Sequence, residues 1–214
     1  MDEAESGVTK GKCTPQGKDV NRQAASRVVL LDRDGTIIED PGYLADPDGV
    51  RFLPGAVAGL RRLGAAGFRL VVVTNQSGVG RGLVTEEQVA AVHARLRAEL
   101  EQSGVHLAGV YYCPHRPDEG CGCRKPATGL ATRAAAELGF PIADAIVVGD
   151  KASDLQLARA LGVLSILVLT GEGRATAEAH PGLADYVVAD LVEAAGVITW
   201  FRSERSEEPA PPCT

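Results

Sequence analysis

No stretch of the chain approaches the roughly 18 consecutive apolar residues that a membrane-spanning helix needs, so no segment is expected to cross a bilayer. The first 26 residues mix charges and carry no continuous apolar run, which argues against a secretory signal. Basic residues are not in excess either, since 22 Lys and Arg against 28 Asp and Glu give a formal charge of −6. A nucleic-acid backbone would find no basic stripe here, so nucleic acid is set aside as a main partner. A small phosphorylated molecule remains open, because a local cationic site can sit on an acidic protein. Internal repeats are also absent. The lack of a spanning segment or signal makes the expected protein soluble and cytoplasmic, and a monomer is expected.

Cysteine is sparse and odd in number, at five residues. Three of them, Cys113, Cys121 and Cys123, fall close to His115, which favours a metal site over a disulfide framework. Cys13 and Cys213 lie near the ends and are given no role. The segments 1–26 and 203–214 are polar or proline-rich and read as disordered tails, leaving 27–202 as one domain.

Within that domain, short apolar runs alternate with alanine-rich segments of helical period. The runs are Val28 to Leu31, Leu70 to Val73, Val110 to Tyr112, Ile146 to Val148 and Ser165 to Leu169. Continuous apolar runs suit strands covered on both faces. Helices are expected over 56–66, 85–103, 129–138 and 153–161. Thr85 and Gln88 have capping-box spacing, and Gly67, Gly104, Gly139 and Gly162 stand where left-handed helix ends need glycine. The expected fold is therefore α/β, a Rossmann-like parallel sheet with helices on both faces. Asp34 to Thr74 and Asn75 to Arg124 are each used up by a loop, a helix and a strand, so no cap domain fits.

In such sheets, ligands bind beyond the carboxyl ends of the strands. Three runs end there in polar groups: Asp32, then Thr74 and Asn75, then Asp150 and Lys151. Phosphoryl transfer needs a nucleophile, a proton donor for the leaving oxygen, and positive charge around the phosphoryl oxygens. Asp32 could attack phosphorus while Asp34 handles the proton. Asp150 adds an oxygen ligand suited to magnesium, and Lys125 and Lys151 offset negative charge. Thr74 could donate a hydrogen bond to the phosphoryl group. Taken singly, each piece has a plain reading: Asp32 and Asp34 as a solvated turn, Asp150 and Asp154 as a loop acid and a helix-start acid, Lys125 as a surface lysine. Their joint occurrence at strand ends is what points to chemistry.

Hydrophobic-Asp32-Arg33-Asp34-Gly35-Thr36, then Thr74-Asn75, then Arg124-Lys125-Pro126, then Gly149-Asp150 followed by Asp154, resembles the signature of haloacid dehalogenase-like phosphatases. The resemblance implies Asp32 as nucleophile and Asp34 as general acid and base. It also implies magnesium held by Asp32, the Asp34 carbonyl and Asp150, with Asp154 behind them.

Cys113-Pro114-His115 and Cys121-Gly122-Cys123 offer three thiolates and an imidazole, a donor set for a closed structural zinc site that would pin the loop carrying Arg124 and Lys125. A redox pair at Cys121 and Cys123, or free thiols, are the other readings. This loop resembles the branch holding histidinol phosphatases and heptose-bisphosphate phosphatases. Thr74-Asn75-Gln76-Ser77-Gly78 with Arg81-Gly82, and Asp40 to Tyr43, are similar to the heptose enzymes. That likeness implies release of the 7-phosphate of a heptose bisphosphate, a small phosphorylated sugar. Substrate contacts are implied for Asp40, Gly42, Tyr43, Thr74, Asn75, Gln76, Ser77, Arg124, Lys125 and Lys151. Tyr43 could equally be a packed loop residue. A histidinol phosphatase or another small phosphomonoesterase is the alternative within enzymes, and a non-catalytic phospho-ligand module the alternative outside them. His93, His106 and His180 read as solvated or locally bonded.

Overall fold

The computed structural model describes residues 28–205, with side chains through residue 200. The expectations for residues 1–26, Cys13 and Cys213 lie outside them. Six parallel strands form one sheet in the order β3-β2-β1-β4-β5-β6. They are β1 Val28–Leu31, β2 Arg69–Asn75, β3 Leu107–Cys113, β4 Ala145–Gly149, β5 Leu164–Val168 and β6 Tyr186–Val188. The helices are α1 Ala56–Ala65, α2 Glu86–Gln102, α3 Gly129–Leu138, α4 Ala152–Leu161, α5 Gly173–Ala179 and α6 Leu191–Arg205.

Successive side chains of a strand point to opposite faces, and β1 and β2 divide accordingly between two cores. Val29, Leu31, Leu70 and Val72 pack with Leu60 and Leu63 of α1, Val92 and Leu96 of α2, and Ala194 and Ile198 of α6. Val28, Leu30, Val71 and Val73 pack on the other face with Leu130 and Ala134 of α3 and Leu157 and Ala158 of α4. Each of the four β1 side chains is at most 1 % exposed, a burial that contributes roughly 1.5–3 kcal/mol per aliphatic side chain. The two-sided sheet therefore matches the continuous apolar runs. β3 is the exception. It lies at the sheet edge, and its burial alternates along the strand.

Helix ends follow their local chemistry. Thr85 Oγ1 accepts from the Gln88 amide at 3.2 Å while Gln88 Oε1 accepts from the Thr85 amide at 2.9 Å, closing the capping box of α2. Gly67, Gly104, Gly139 and Gly162 all have positive φ, where a side chain would be strained.

β6, α5 and α6 were not among the elements anticipated, and α6 takes in residues 203–205, placed above in the closing tail. Helix α6 lies against α1 through Leu191, Ala194, Ala195 and Ile198, a spacing that does carry a helical stripe. The chain order reverses on the two sides of β1, between β1 and β4. Beyond the carboxyl ends of these two strands, the diverging connections leave a crevice.

Candidate active site

The twelve residues expected to act on or contact substrate line one cavity of about 200 Å³ in this crevice: Asp32, Asp34, Asp40, Gly42, Tyr43, Thr74, Asn75, Gln76, Ser77, Arg124, Lys125 and Lys151. Ser153, at the start of α4, completes the lining and was not anticipated. Asp150 lies just beneath, fully buried.

Each strand end delivers one part. β1 runs directly into Asp32, whose amide donates to the Val148 carbonyl of β4 at 3.0 Å and so ties the two strand ends together. From α4 and the loop before α3, Asp154 and Lys125 meet it: Lys125 Nζ lies 2.8 Å from Asp32 Oδ1 and 2.6 Å from Asp154 Oδ1. Burial opposes ionisation of Asp32, but the Lys125 ammonium, helped by Lys151 and the Arg33 amide, outweighs it and holds the carboxyl below the ordinary aspartate value. At neutral pH Asp32 is therefore an anion, as a nucleophile must be.

Lys125 is itself held from behind. Asn75 Oδ1 accepts from the Lys125 amide at 3.0 Å and Asn75 Nδ2 donates to the Lys125 carbonyl at 3.2 Å. The Asn75 amide is thus engaged with the Lys125 peptide, although the residue borders the cavity. Lys151 reaches Asp40 Oδ2 at 2.8 Å and Glu172 Oε1 at 3.4 Å, joining the loop after β1 to the start of α4. Asp40 Oδ1 accepts from the Gly42 amide at 2.9 Å, which shapes the turn before Tyr43. Tyr43 is 47 % exposed at the rim, and Gly78 leaves room for its ring, since a Cβ there would stand 2.8 Å from Tyr43 Cδ1.

The carboxylates of Asp32, Asp150 and Asp154 offer oxygens within 4.8 Å of one another. Burial, followed by the charge of Asp32, pushes Asp150 up to about 7. Burial and the charge of Asp32 likewise push Asp154 up to about 6 against the pull of Lys125, so the three clustered acids have more negative charge than Lys125 can balance, which suits a hard dication. Asp154 is poorly placed to ligate, because one oxygen meets Lys125 and the other accepts from the Lys151 amide at 3.1 Å. Asp150 accepts from Thr36 Oγ1 at 3.2 Å and from the Glu172 amide at 2.9 Å. A Cβ on Gly35 would overlap the Asp150 carboxylate, so the close approach of the β1 loop to β4 requires glycine there. Thr36, quoted in the motif after β1 but given no role there, braces this floor together with Thr170, Glu172 and Thr176, which were missed. The last three follow β5 as ordinary loop and helix residues, with no spacing signal.

Asp34 is gripped on both sides. Arg33 Nε donates to Asp34 Oδ1 at 2.9 Å, Arg33 Nη2 to Oδ2 at 2.8 Å, and Gln76 Nε2 to Oδ2 at 2.8 Å. Burial, with the charge of Asp32, still leaves the Asp34 pKa raised against the pull of Arg33 and Gln76. Arg33 is only 1 % exposed, and its Nη1 meets His93 Nε2 at 2.9 Å. Of the two readings of His93, solvated or locally bonded, the structure shows the second. His93 faces inward from α2, is 7 % exposed and stacks edge-on against Tyr112 at 5.5 Å. His106 is exposed, 3.9 Å from Glu101.

At the end of β3, Cys113, His115, Cys121 and Cys123 form a second cluster whose donor atoms lie within 4.8 Å of one another. The S···S separations are 3.2, 3.5 and 3.6 Å, and His115 Nδ1 lies 3.2 Å from Cys123 and 3.5 Å from Cys113. Thiolates about 2.3 Å from a tetrahedral ion would stand about 3.8 Å apart, so the four residues need move only a few tenths of an ångström to hold a metal. The short helix Pro117–Glu119 closes the loop between the two Cys/His pairs. Arg124 follows, its Nη1 reaching the His115 carbonyl at 3.4 Å.

Comparison with known proteins agrees with this architecture. A family profile described as HAD-hydrolase-like matches residues 122–194. The D-glycero-beta-D-manno-heptose-1,7-bisphosphate 7-phosphatase of Yersinia pestis is 41% identical over 173 residues, 77% of this chain and 91% of that protein. The enzyme of the same name from Escherichia coli (strain K12) is 40% identical over 173 residues, 77% of this chain and 90% of that one. The crystal structure of D,D-heptose 1,7-bisphosphate phosphatase from B. bronchiseptica, complexed with magnesium and phosphate, superposes with a TM-score of 0.76. It is 36% identical and covers 82% of this chain and 99% of its own.

Proposed function

The chain belongs to the haloacid dehalogenase-like D-glycero-D-manno-heptose-1,7-bisphosphate 7-phosphatases, and from that premise we propose that it hydrolyses the 7-phosphate of D-glycero-D-manno-heptose 1,7-bisphosphate to heptose 1-phosphate. The observation that carries this reading is an ionised, deeply seated Asp32 facing a cavity of about 200 Å³ whose lining also contains Arg124 and Lys151.

Asp32 attacks phosphorus in line, forming an aspartyl phosphate as the bond from phosphorus to the sugar C7 oxygen breaks. Asp34 gives the departing oxygen its proton. It then takes a proton from water, whose oxygen attacks the phosphorus and returns Asp32 as a carboxylate with release of orthophosphate. Thr74 and the cation of Lys125 stabilise the charge on the phosphoryl oxygens. Asp154 and Asn75 keep Lys125 in reach. Asp32, Asp150 and the Asp34 carbonyl would hold magnesium, which supplies the positive charge that lets two anions approach. Asp40, Gly42, Tyr43, Gln76, Ser77 and Arg124 serve the sugar and its second phosphate.

Cys113, His115, Cys121 and Cys123 would hold a structural zinc ion, a role that suits three sulfurs and one nitrogen and would leave no position for substrate. No helix among the described residues is long and apolar enough to cross a membrane. A cytoplasmic enzyme would keep the three thiols reduced for metal.

Phosphate release from heptose 1,7-bisphosphate, histidinol phosphate and sugar monophosphates, with and without magnesium, tests the assignment. The heptose bisphosphate should have the highest kcat/KM. Preference for histidinol phosphate would overturn the substrate, and turnover without magnesium would overturn the mechanism.

A further inference from the structure

Arg33 is the largest fully buried side chain among the described residues, and a buried guanidinium is costly unless its donors are met. It lies between the two aspartates of the site, yet its side chain does not line the cavity. All of its described contacts serve Asp34 or brace that service. Nε and Nη2 grip the two oxygens of Asp34 at 2.9 and 2.8 Å, Nη2 also donates to Gln76 Oε1 at 2.9 Å, and Nη1 rests on His93 Nε2 at 2.9 Å. A guanidinium can only donate, so His93 Nε2 must accept, which requires an imidazole without a proton on that nitrogen. Burial and the neighbouring Arg33 and Arg97 charges lower the His93 pKa to about 3, in keeping with that form.

The lone pairs of Asp34 can then be counted. Oδ2 accepts from Arg33 Nη2 and from Gln76 Nε2, both at 2.8 Å, which fills its two in-plane positions. Oδ1 accepts only from Arg33 Nε and keeps one position open, while the residue still borders the cavity. Gln76 is fixed in turn, since its Nε2 also donates to Thr74 Oγ1 at 2.9 Å. The orientation of the Asp34 carboxyl is thus set from helix α2, through His93 and Arg33.

We propose that Arg33, braced by His93, is a positioning residue for proton transfer, turning Asp34 so that Oδ1 is the oxygen presented to the leaving group. The proposal rests on the phosphatase reading above, with Asp34 as the proton donor. It gives a function to a histidine whose place in α2 is otherwise that of a packed core residue.

The test exploits leaving groups. An alkoxide departs only with a proton, whereas p-nitrophenolate departs readily without one, so loss of general-acid positioning falls on the first substrate. Asp34 also serves the water step, which both substrates share. The rate read is therefore release of the leaving group in the first turnover, with enzyme in excess, on heptose 1,7-bisphosphate and on p-nitrophenyl phosphate for wild type, His93→Phe, His93→Gln and Asp34→Asn, below the melting temperature of each. Phe keeps the ring against Tyr112 but offers Arg33 no acceptor, and Gln restores an acceptor. His93→Phe should lose roughly 10- to 100-fold in this first-turnover rate on the heptose bisphosphate, a part of the total general-acid contribution. KM should change little, and the loss on p-nitrophenyl phosphate should stay within about threefold, while His93→Gln regains most of the lost rate. Equal losses on both substrates, or no loss on either, would overturn the positioning role. The Asp34→Asn arm separates the two claims. If it shows the selective loss and His93→Phe does not, only this inference fails; if Asp34→Asn shows no selective loss, the assignment of Asp34 as proton donor fails with it.

Discussion

With Asp150 as the proposed magnesium ligand, metal binding is coupled to the stability of the fold, and the coupling can be given a sign and a size. Burial, with the charges of Asp32 and Asp154, raises the Asp150 pKa from the ordinary 3.8 to about 7 in the metal-free protein. Between those values the folded chain holds a proton that the unfolded chain has released, so stability falls as pH rises. The stabilising contribution is complete below pH 3.8 and is lost as pH passes through about 7. A shift of about three units at about 1.4 kcal/mol each amounts to about 4 kcal/mol across that window. For a domain of this size the corresponding change in Tm is roughly 8–16 °C.

Magnesium needs the same carboxylate ionised. Its apparent affinity should therefore weaken about tenfold for each pH unit below 7, about 100-fold at pH 5. Urea unfolding of magnesium-free wild type and Asp150→Asn at pH 4 to 8 isolates the term, because the variant lacks the titrating group. Asn can still accept from the Glu172 amide and donate to Thr36 Oγ1, the two contacts that Asp150 makes with its side chain. The stability of wild type relative to Asp150→Asn should decline by about 4 kcal/mol from pH 4 to pH 8. A difference that stays flat, or grows with pH, would refute the reasoning.

Three further perturbations test separate parts of the site. Asp32→Asn should abolish phosphate release, and substantial turnover in that variant would remove the covalent mechanism. Asn75→Ala deletes the two hydrogen bonds to the Lys125 peptide, and should cost about 1–3 kcal/mol in urea unfolding together with a fall in kcat; wild-type kcat would show that Lys125 needs no such clamp. Cys123→Ser should lower the zinc found per chain by elemental analysis and reduce unfolding free energy by about 3 kcal/mol or more at saturating zinc. Unchanged zinc content would place the ion elsewhere.

Much of this protein is written locally. Unbroken apolar runs such as Val28 to Leu31 imply strands covered on both faces, and β1 is covered by helices on both faces. The capping box at Thr85 and the glycines at helix ends act within a few residues, so spacing alone places them. The same holds for Asp32 and Asp34, for Asp150 after β4 and for the paired Cys and His residues, since each group follows a strand or sits in one loop. β3 is less transparent because an edge strand alternates in burial and imitates a half-exposed one. α6 carries its apolar stripe, but the partner that makes the stripe matter is α1, more than a hundred residues earlier.

By itself the sequence determined which residues could perform phosphoryl transfer, and that they stand at strand ends. Only the tertiary structure decided what each one touches. Contacts between residues 43, 60 or 114 positions apart leave no periodic trace in the chain: Gln76 on Arg33, His93 on Arg33, Thr36 on Asp150. His93 is the clearest case. On a helix whose other face is charged it looks like one more surface residue, and its inward direction is set by how α2 packs across the sheet. The pKa of Asp150 depends in the same way on the packing of β1 against β4, because the field of Asp32 exists only once the two strand ends are side by side.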